Sequence, residues 1–365
     1  MKGFNVLALD KNYQIISLIR HTNLQWNRKY HEAGTFSIQI PYEQYHRDMK
    51  YIYTKDRPEL GKITQINYQA KNHYANVQLS GYFLEKELDR HVVFPNGSSN
   101  IENAPEWACQ SGAAEDVAYA YFNGFCKINI GSEVSDLGIR AANSKGKGKQ
   151  SIHYRNGEYL GWKIYDILKP SGMSYRVNYD FVENQKYFEV WTGCDRTSEN
   201  TDGNNPIVFA TKYGNLKNPN VLISKTDYKN ACIVINEQTD ENIKSYISRA
   251  VLNKTAEDEK YCFLKQQSSL NRKDYSADDL SAAMSNEGIN ALTDYQVTQN
   301  IDFDAIEGSY VYRKDFDLGD MCTVVINELN MVMDARLIGC YEVIKSGKWT
   351  MSMEFGTPIM KIGGM

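Results

Sequence analysis

The residues with the best claim to chemistry are Cys194-Asp195-Arg196, a thiol beside an acid and a guanidinium. A cysteine nucleophile needs a base within hydrogen-bond reach, usually a histidine, and the last of the six histidines is His153. The trio therefore reads as a turn in which Asp195 and Arg196 orient the backbone. His31-Glu32 lacks the second histidine, four positions after the first, that a zinc-binding helix requires. Ser144-Lys145-Gly146-Lys147-Gly148-Lys149 has the residue types of a phosphate cradle without the Gly-Lys-Ser/Thr ending, and reads as a solvated basic loop. No Gly-x-Ser-x-Gly elbow and no dinucleotide-binding glycine pattern occurs. With 45 acidic residues, counting alone leaves a glycosidase-type carboxylate pair open. The seven cysteines (Cys109, Cys126, Cys194, Cys232, Cys262, Cys322 and Cys340) are scattered and never form Cys-x-x-Cys, so reduced, mostly buried thiols are expected rather than disulfides or a zinc site. The expectation is no catalytic centre, no cofactor and no metal.

The elements that would position any site belong to a globular chain of two or three domains, with 365 residues, 42% hydrophobic and 24% charged. Tyrosine is used 26 times, and it favours strands and protein interfaces. A net charge of −4 gives no sign of nucleic-acid binding. The opening run is too short for a signal peptide, and no later run is long enough for a membrane span. Synthesis in a cytoplasm follows as the expectation.

Strand signals dominate the chain. Val6 to Ile19 reads as two strands around an Asp10-Lys11-Asn12 turn, Leu24 to Tyr30 alternates, and Phe36, Ile38 and Ile40 share a face before Pro41. Further strands are expected at Gly61–Tyr68, Tyr74–Gly81, Ser174–Asp180, Lys186–Thr192 and Ala231–Asn236. Pro95 to Ser99 opens a loop. Helices are expected from Ala104 to Phe122 with Trp107 inward, over residues 157–170, over Asp240–Val251 on the spacing of Ile243, Ile247 and Val251, and from a Ser276 cap to Leu292 with Leu280, Met284 and Leu292 inward. A closing meander begins with Tyr310, Tyr312 and Phe316 in alternation. It turns at Asp317-Leu318-Gly319-Asp320, Glu328-Leu329-Asn330 and Ser346-Gly347, and ends on Trp349, Met351, Met353 and Phe355.

Several stretches, in order, resemble the tail-hub proteins of siphophages and prophages, which are similar in fold to the central hub of contractile-tail baseplates. They are the Trp26-x-Arg28-x-Tyr30, Glu32-Ala33-Gly34 and Phe36-x-Ile38-x-Ile40-Pro41 run, and Gly81-x-x-Leu84-x-x-x-Leu88-Asp89-Arg90. Further on come Gly193 to Thr197, Pro206 to Ala210, Tyr213 to Leu216 and Asp227 to Asn230. Last come the Asp317 to Asp320 turn, Asp334 to Leu337 and Glu354-Phe355-Gly356. The resemblance implies an α+β, mainly β fold with two tube-protein-like antiparallel β-barrel domains. These would be residues 1–95 and 206–365, the second with a helical insertion at about 237–293, flanking an α+β insert at 96–205. A faint echo of Leu60-Gly61-Lys62-Ile63 in Leu318-Gly319-Asp320-Met321 points the same way.

The function so implied is structural: a hub joining the tail tube to the tail tip, forming a homotrimeric pseudo-sixfold ring with an axial passage. Its partners would be the tail tube or distal tail protein and a spike or fibre protein. DNA or tape-measure protein would pass without specific binding, the chain would not insert in a membrane, and it would reside in the virion tail. Many relatives continue into fibre, adhesin or peptidase modules, whereas this sequence stops at Met365. The rival readings are a tail-tip cell-wall hydrolase and a glycan-binding receptor protein.

Overall fold

Alternation decides the strands. In Thr35–Pro41 the side chains of Phe36, Ile38 and Ile40 are buried and their neighbours half exposed, the period-two pattern of a sheet with one covered face. The computed structural model describes residues 4–55, 57–71, 74–94, 109–154, 157–240, 242–254, 259–305 and 310–361. The Pro95 to Ser99 loop and Trp107 lie outside them. The chain divides into two compact units, Met1–Asn220 with Ile301–Met365, and Val221–Asn300.

In the first unit the chain begins with β1 (Val6–Leu9), β2 (Ile15–Ile19), β3 (Asn23–Lys29), β4 (Thr35–Pro41), β5 (Tyr51–Thr54), β6 (Leu60–Lys71) and β7 (Tyr74–Phe83). A 3-10 turn over Leu84–Arg90 leads to the α+β segment. This holds β8 (Cys109–Ala113), α1 (Ala114–Phe125), β9 (Lys127–Ile130), β10 (Glu133–Asp136), β11 (Ile139–Ala141), β12 (Gln150–Tyr154), α2 (Leu160–Leu168), β13 (Ser174–Asp180) and β14 (Gln185–Trp191). Its core forms where α1 meets β14, with Phe122 stacked on Phe188 at 4.2 Å. The chain continues through β15 (Asp195–Arg196), β16 (Val208–Ala210) and β17 (Leu216–Ser224). The second unit follows with β18 (Ala231–Asp240), β19 (Ile243–Leu252), β20 (Phe263–Ser268) and α3 (Ala277–Thr293). The chain re-enters the first unit along β21 (Thr298–Ala305), β22 (Met321–Ile326), β23 (Met331–Lys345) and β24 (Lys348–Lys361).

Fourteen strands form one sheet, whose main path is β17-β21-β24-β23-β3-β4-β7-β6-β5-β1-β2. Two sets of six strands within it share one order. The first runs β1-β5-β6-β7-β4-β3, the second β16-β22-β23-β24-β21-β17. Ranked along the chain, each is first, fourth, fifth, sixth, third, second. One constant offset carries the β6–β7 pairs Ile63↔Gly81, Gln65↔Ser80 and Lys71↔Tyr74 onto the β23–β24 pairs Leu337↔Phe355, Gly339↔Glu354 and Lys345↔Lys348. The bulge between Ile63 and Gln65 recurs between Leu337 and Gly339 at the same offset. Bulges re-aim a strand, so the repeated bulge bends both hairpins at the same point. The repeats differ at their first strand, where β1 is antiparallel to β5 but β16 is parallel to β22.

The mainly β, α+β class holds, with several corrections. Among the described residues neither repeat closes into a barrel. β3 instead pairs with β23, residues Asn23 to Lys29 against Lys345 to Gly339, and fuses the repeats edge to edge. The Leu60-Gly61 echo is misplaced, because Leu60 opens β6 whereas Leu318 precedes β22, the counterpart of β5. The helix expected from Ala104 starts at Ala114, since Cys109–Ala113 pairs with Tyr154 to Gln150 as a strand. Asp240–Val251 is not helical. Ile243–Leu252 pairs antiparallel with β18 along its whole length, and residues four apart share a face in a strand as well as in a helix. Tyr310 to Phe316 forms no strand, only an isolated bridge between Tyr312 and Phe316.

Other expectations hold. Ser174–Asp180 is a strand at the expected bounds. Ser276 caps α3 by accepting from the Asp279 amide, and Leu280, Met284 and Leu292 are buried. Ser346 and Gly347 turn the last hairpin with φ of 51° and 77°, the left-handed pair that a two-residue hairpin loop favours.

Candidate assembly surface

The joint between the repeats is built from buried charge. Arg28, on β3, is nearly inaccessible and lies opposite Cys340. Its Nε donates to Glu59, while Nη1 donates to Asp317 Oδ1 at 2.6 Å and to the Tyr312 hydroxyl. Arg57 grips Glu342 with both ends of its fork, Nε to Oε2 at 2.6 Å and Nη2 to Oε1. Trp349 Nε1 donates to Glu342 Oε1 at 3.1 Å. Arg28, Arg57 and Glu59 from the first repeat are thus locked to Tyr312, Asp317, Glu342 and Trp349 from the second. Burial opposes the Arg28 charge, but Glu59, Tyr312 and Asp317 outweigh it and raise its pKa. Burial likewise opposes the Asp317 charge, yet Arg28 and Arg313 hold its carboxyl below the usual range. Bidentate charge-assisted bonds fix geometry as well as energy, so this joint sets the angle between the repeats.

Cys194-Asp195-Arg196 proves to be scaffolding. Asp320 Oδ1 accepts from the Cys194 amide at 2.7 Å, and Asp320 Oδ2 accepts from Arg196 Nε at 2.8 Å and from the Asp317 amide at 3.0 Å. Asp195 Oδ1 accepts from the Thr197 amide at 2.9 Å. Asp195–Arg196 is the short strand β15, parallel to Met321–Cys322, rather than the expected turn, and one carboxylate pins it to the Asp317 to Asp320 turn, two stretches that the sequence singled out separately. Gly319 has φ of 88°, and a Cβ there would stand 2.6 Å from the Tyr30 ring, so only glycine fits.

The basic loop is also accounted for. Ser144 Oγ donates to Asp116 at 2.6 Å, and the Lys147 amide donates to Glu115 Oε2 at 2.9 Å. The α1 amides of Ala114 and Glu115 donate to the carbonyls of Lys149 and Lys147. A phosphate would find these amides already engaged. Among the described residues no three His, Cys, Asp or Glu side chains converge as metal ligands, and Cys232, Cys322 and Cys340 are buried thiols.

Two features escaped the sequence. Glu85 is buried and its carboxyl is pushed up to about 7 by that burial, a value suited to an acid catalyst. The cavity beside it holds only about 20 Å³, too little for a sugar ring. A wider cleft of about 400 Å³ is lined by His31, Glu32, Lys86, Asp89 and the exposed Trp162. The signal for either would have been a carboxylate within Leu84 to Arg90, which reads there only as an amphipathic turn.

What remains is edge. β6 pairs with β5 only at Leu60 to Lys62, and residues 65–71 have no strand on that side among the described residues. Ile66 and Tyr68 on it are 47% and 57% exposed, and Tyr42 meets Tyr68 edge-on at 5.4 Å. β17 ends the sheet, and its residues Lys217 to Asn220 are exposed. An unpaired, partly apolar edge is a template for another strand. Among the described residues no helix is long and apolar enough to cross a membrane.

Solved phage and prophage tail proteins share this mainly β fold. The tail protein from Neisseria meningitidis MC58 superposes with a TM-score of 0.57 at 11% identity, covering 97% of each chain. The 43 kDa tail protein of prophage MuSo2 from Shewanella oneidensis gives 0.57 at 10%, covering 96% of this chain and 98% of that one. Prophage tail protein gp18 from Listeria monocytogenes EGD-e gives 0.52 at 11%, covering 97% and 94%. The chain belongs to the Siphovirus ReqiPepy6 Gp37-like protein family, whose model matches residues 5–357. No curated protein sequence matches it.

Proposed function

We propose that this protein is a structural tail hub, joining the tail tube to the tail tip as a homotrimer around an axial passage. The observation that carries the reading is the repeated strand order. Two like repeats per chain give six in a trimer, which suits a sixfold tube above a threefold tip. Residues 1–95 and 206–365 act as the two hub domains, and 96–205 as the insert between them. The tail tube or distal tail protein contacts one side and a spike or fibre protein the other. DNA or tape-measure protein passes through unheld, a reading supported by the net charge of −4, since strong phosphate binding calls for a surplus of cations. The particle is assembled from chains made in the host cytoplasm. The test is the copy number per particle, by quantitative mass spectrometry against the tube protein. Three copies are expected, and six or one would sink the reading.

A receptor role is the second reading, favoured by the cleft beside the exposed Trp162, since an exposed indole suits stacking on a sugar. A glycan array with the full chain distinguishes it, because a hub binds none. The hydrolase reading rests on Glu85, and cell-wall zymography with Glu85→Gln tests it. The expected result is no clearing by either chain.

A further inference from the structure

Resting on the ring reading above, we infer that residues 65–71 of β6 pair antiparallel with the free edge of β17 from a second copy of this chain. The joint would repeat between chains what β23 and β3 do within one. β6 and β23 are counterparts in the two repeats, and so are β3 and β17. In β23 the seven residues after the bulge, Gly339 to Lys345, are covered by β3. In β6 the seven residues after the equivalent bulge, Gln65 to Lys71, are uncovered among the described residues. The strand that would cover them by the same rule is β17, and its outer edge is open too among the described residues. Each chain therefore offers one edge of each kind. An interface between unlike patches is head-to-tail, and it closes into a ring when the rotation permits.

The side chains agree with this assignment. The same offset places Ile66 at the position of Cys340 and Tyr68 at that of Glu342. Cys340 and Glu342 are 0% and 1% exposed, against 47% and 57% for Ile66 and Tyr68. The first repeat leaves in solvent an apolar pair whose counterparts are sealed. Residues 65–71 contain no proline, the usual device for blunting an edge. β17 carries Pro219, which removes one donor, so its pairing rests on the remaining residues of the strand. It carries no arginine equivalent to Arg28. The joint between copies thus lacks the ionic lock of the internal joint and is formed on assembly rather than during folding of one chain.

The test places the photo-cross-linker benzoylphenylalanine at Tyr68 in the full chain. Equal parts of ¹⁵N-labelled and unlabelled chain are mixed, irradiated across a concentration series and mapped by peptide mass spectrometry. Mixed-isotope products joining Tyr68 to the β17 peptide, rising with concentration, are expected. Ile66→Lys should weaken that association about tenfold or more at an unchanged melting temperature, since it charges an edge without touching the core. Two results overturn the pairing: cross-links to another segment, or no cross-link at a concentration where sedimentation shows oligomers. A chain that stays monomeric at its solubility limit, with no mixed product, overturns it as well. The ring reading is judged separately by copy number. Three copies per particle without the Tyr68 cross-link leave the ring standing, whereas the cross-link with another copy number does the reverse.

Discussion

The β6–β7 and β23–β24 hairpins are the same object in two surroundings. They share pairing register and bulge. One has its far half covered by β3 and carries Glu342 buried against Arg57, while the other exposes Tyr68 at the same place. Identical backbone geometry has therefore been given opposite surface chemistry. The covered copy can hold a buried charge because its partner is always present. The open copy carries Ile66 and Tyr68 there, which need no fixed ionic partner.

The comparison breaks most severely at the covered joint. Arg28→Ala leaves the buried Glu59 without its cation and Asp317 with Arg313 alone, and loss of about 3–5 kcal/mol is expected, read by chemical denaturation of the first unit. Arg28→Met paired with Glu59→Gln should recover part of it, because Glu59 is then no longer a buried charge without a cation. At the next level stands Glu85, whose folded pKa is raised from 4.5 to about 7 by burial. Below that window both states are protonated. Within it the folded chain holds the extra proton, so this group's contribution to stability falls as pH rises from about 4.5 to about 7. Glu85→Gln should be more stable than the natural chain at pH 8 by about 1–3 kcal/mol and nearly equal to it at pH 4. A constant difference in melting temperature across that range would refute the assignment. His31 works with the opposite sign. Burial lowers its pKa to about 3, so its share of stability is lost as pH falls below the ordinary histidine value.

Smaller effects sharpen the contrast. Ser276→Ala removes the α3 cap and should cost the second unit about 1 kcal/mol, visible as earlier hydrogen exchange in α3 with none in the repeats. Tyr68→Ser should change stability by less than about 0.5 kcal/mol, whereas Glu342→Ala, at the equivalent position, should cost several times more. Equal effects at the two positions would mean that the hairpins are not in different surroundings.

Much of the repeat was legible locally. Phe36, Ile38 and Ile40 announce β4, and Trp349, Met351, Met353 and Phe355 announce β24, because one-sided burial writes itself as alternation. Ser276 announces α3 through its cap. What stayed illegible is what depends on partners far along the chain. Nothing near Asn23 to Lys29 says that Gly339 to Lys345 will lie beside it. The duplication is hidden because the shared feature is strand order, which tolerates any side chain of suitable polarity, and because the second unit separates β17 from β21. The same gap explains β19, whose isoleucines fit two periods at once. The joint charges Arg28, Glu59 and Glu342 were unrecognisable as a group, since each looks like ordinary surface until the strands meet.

The clasp at Arg28 has a consequence in time as well as space. Arg28 and Tyr312 are 284 residues apart, so β3 cannot acquire its neighbour until most of the chain has left the ribosome. Contacts of such long sequence separation form late and slowly. The nascent first repeat must wait with two edges bare, a state open to mispairing with other nascent copies. Synthesis order thus makes the final strands a checkpoint: a chain truncated before β23 would retain its first repeat but not the edge that protects it.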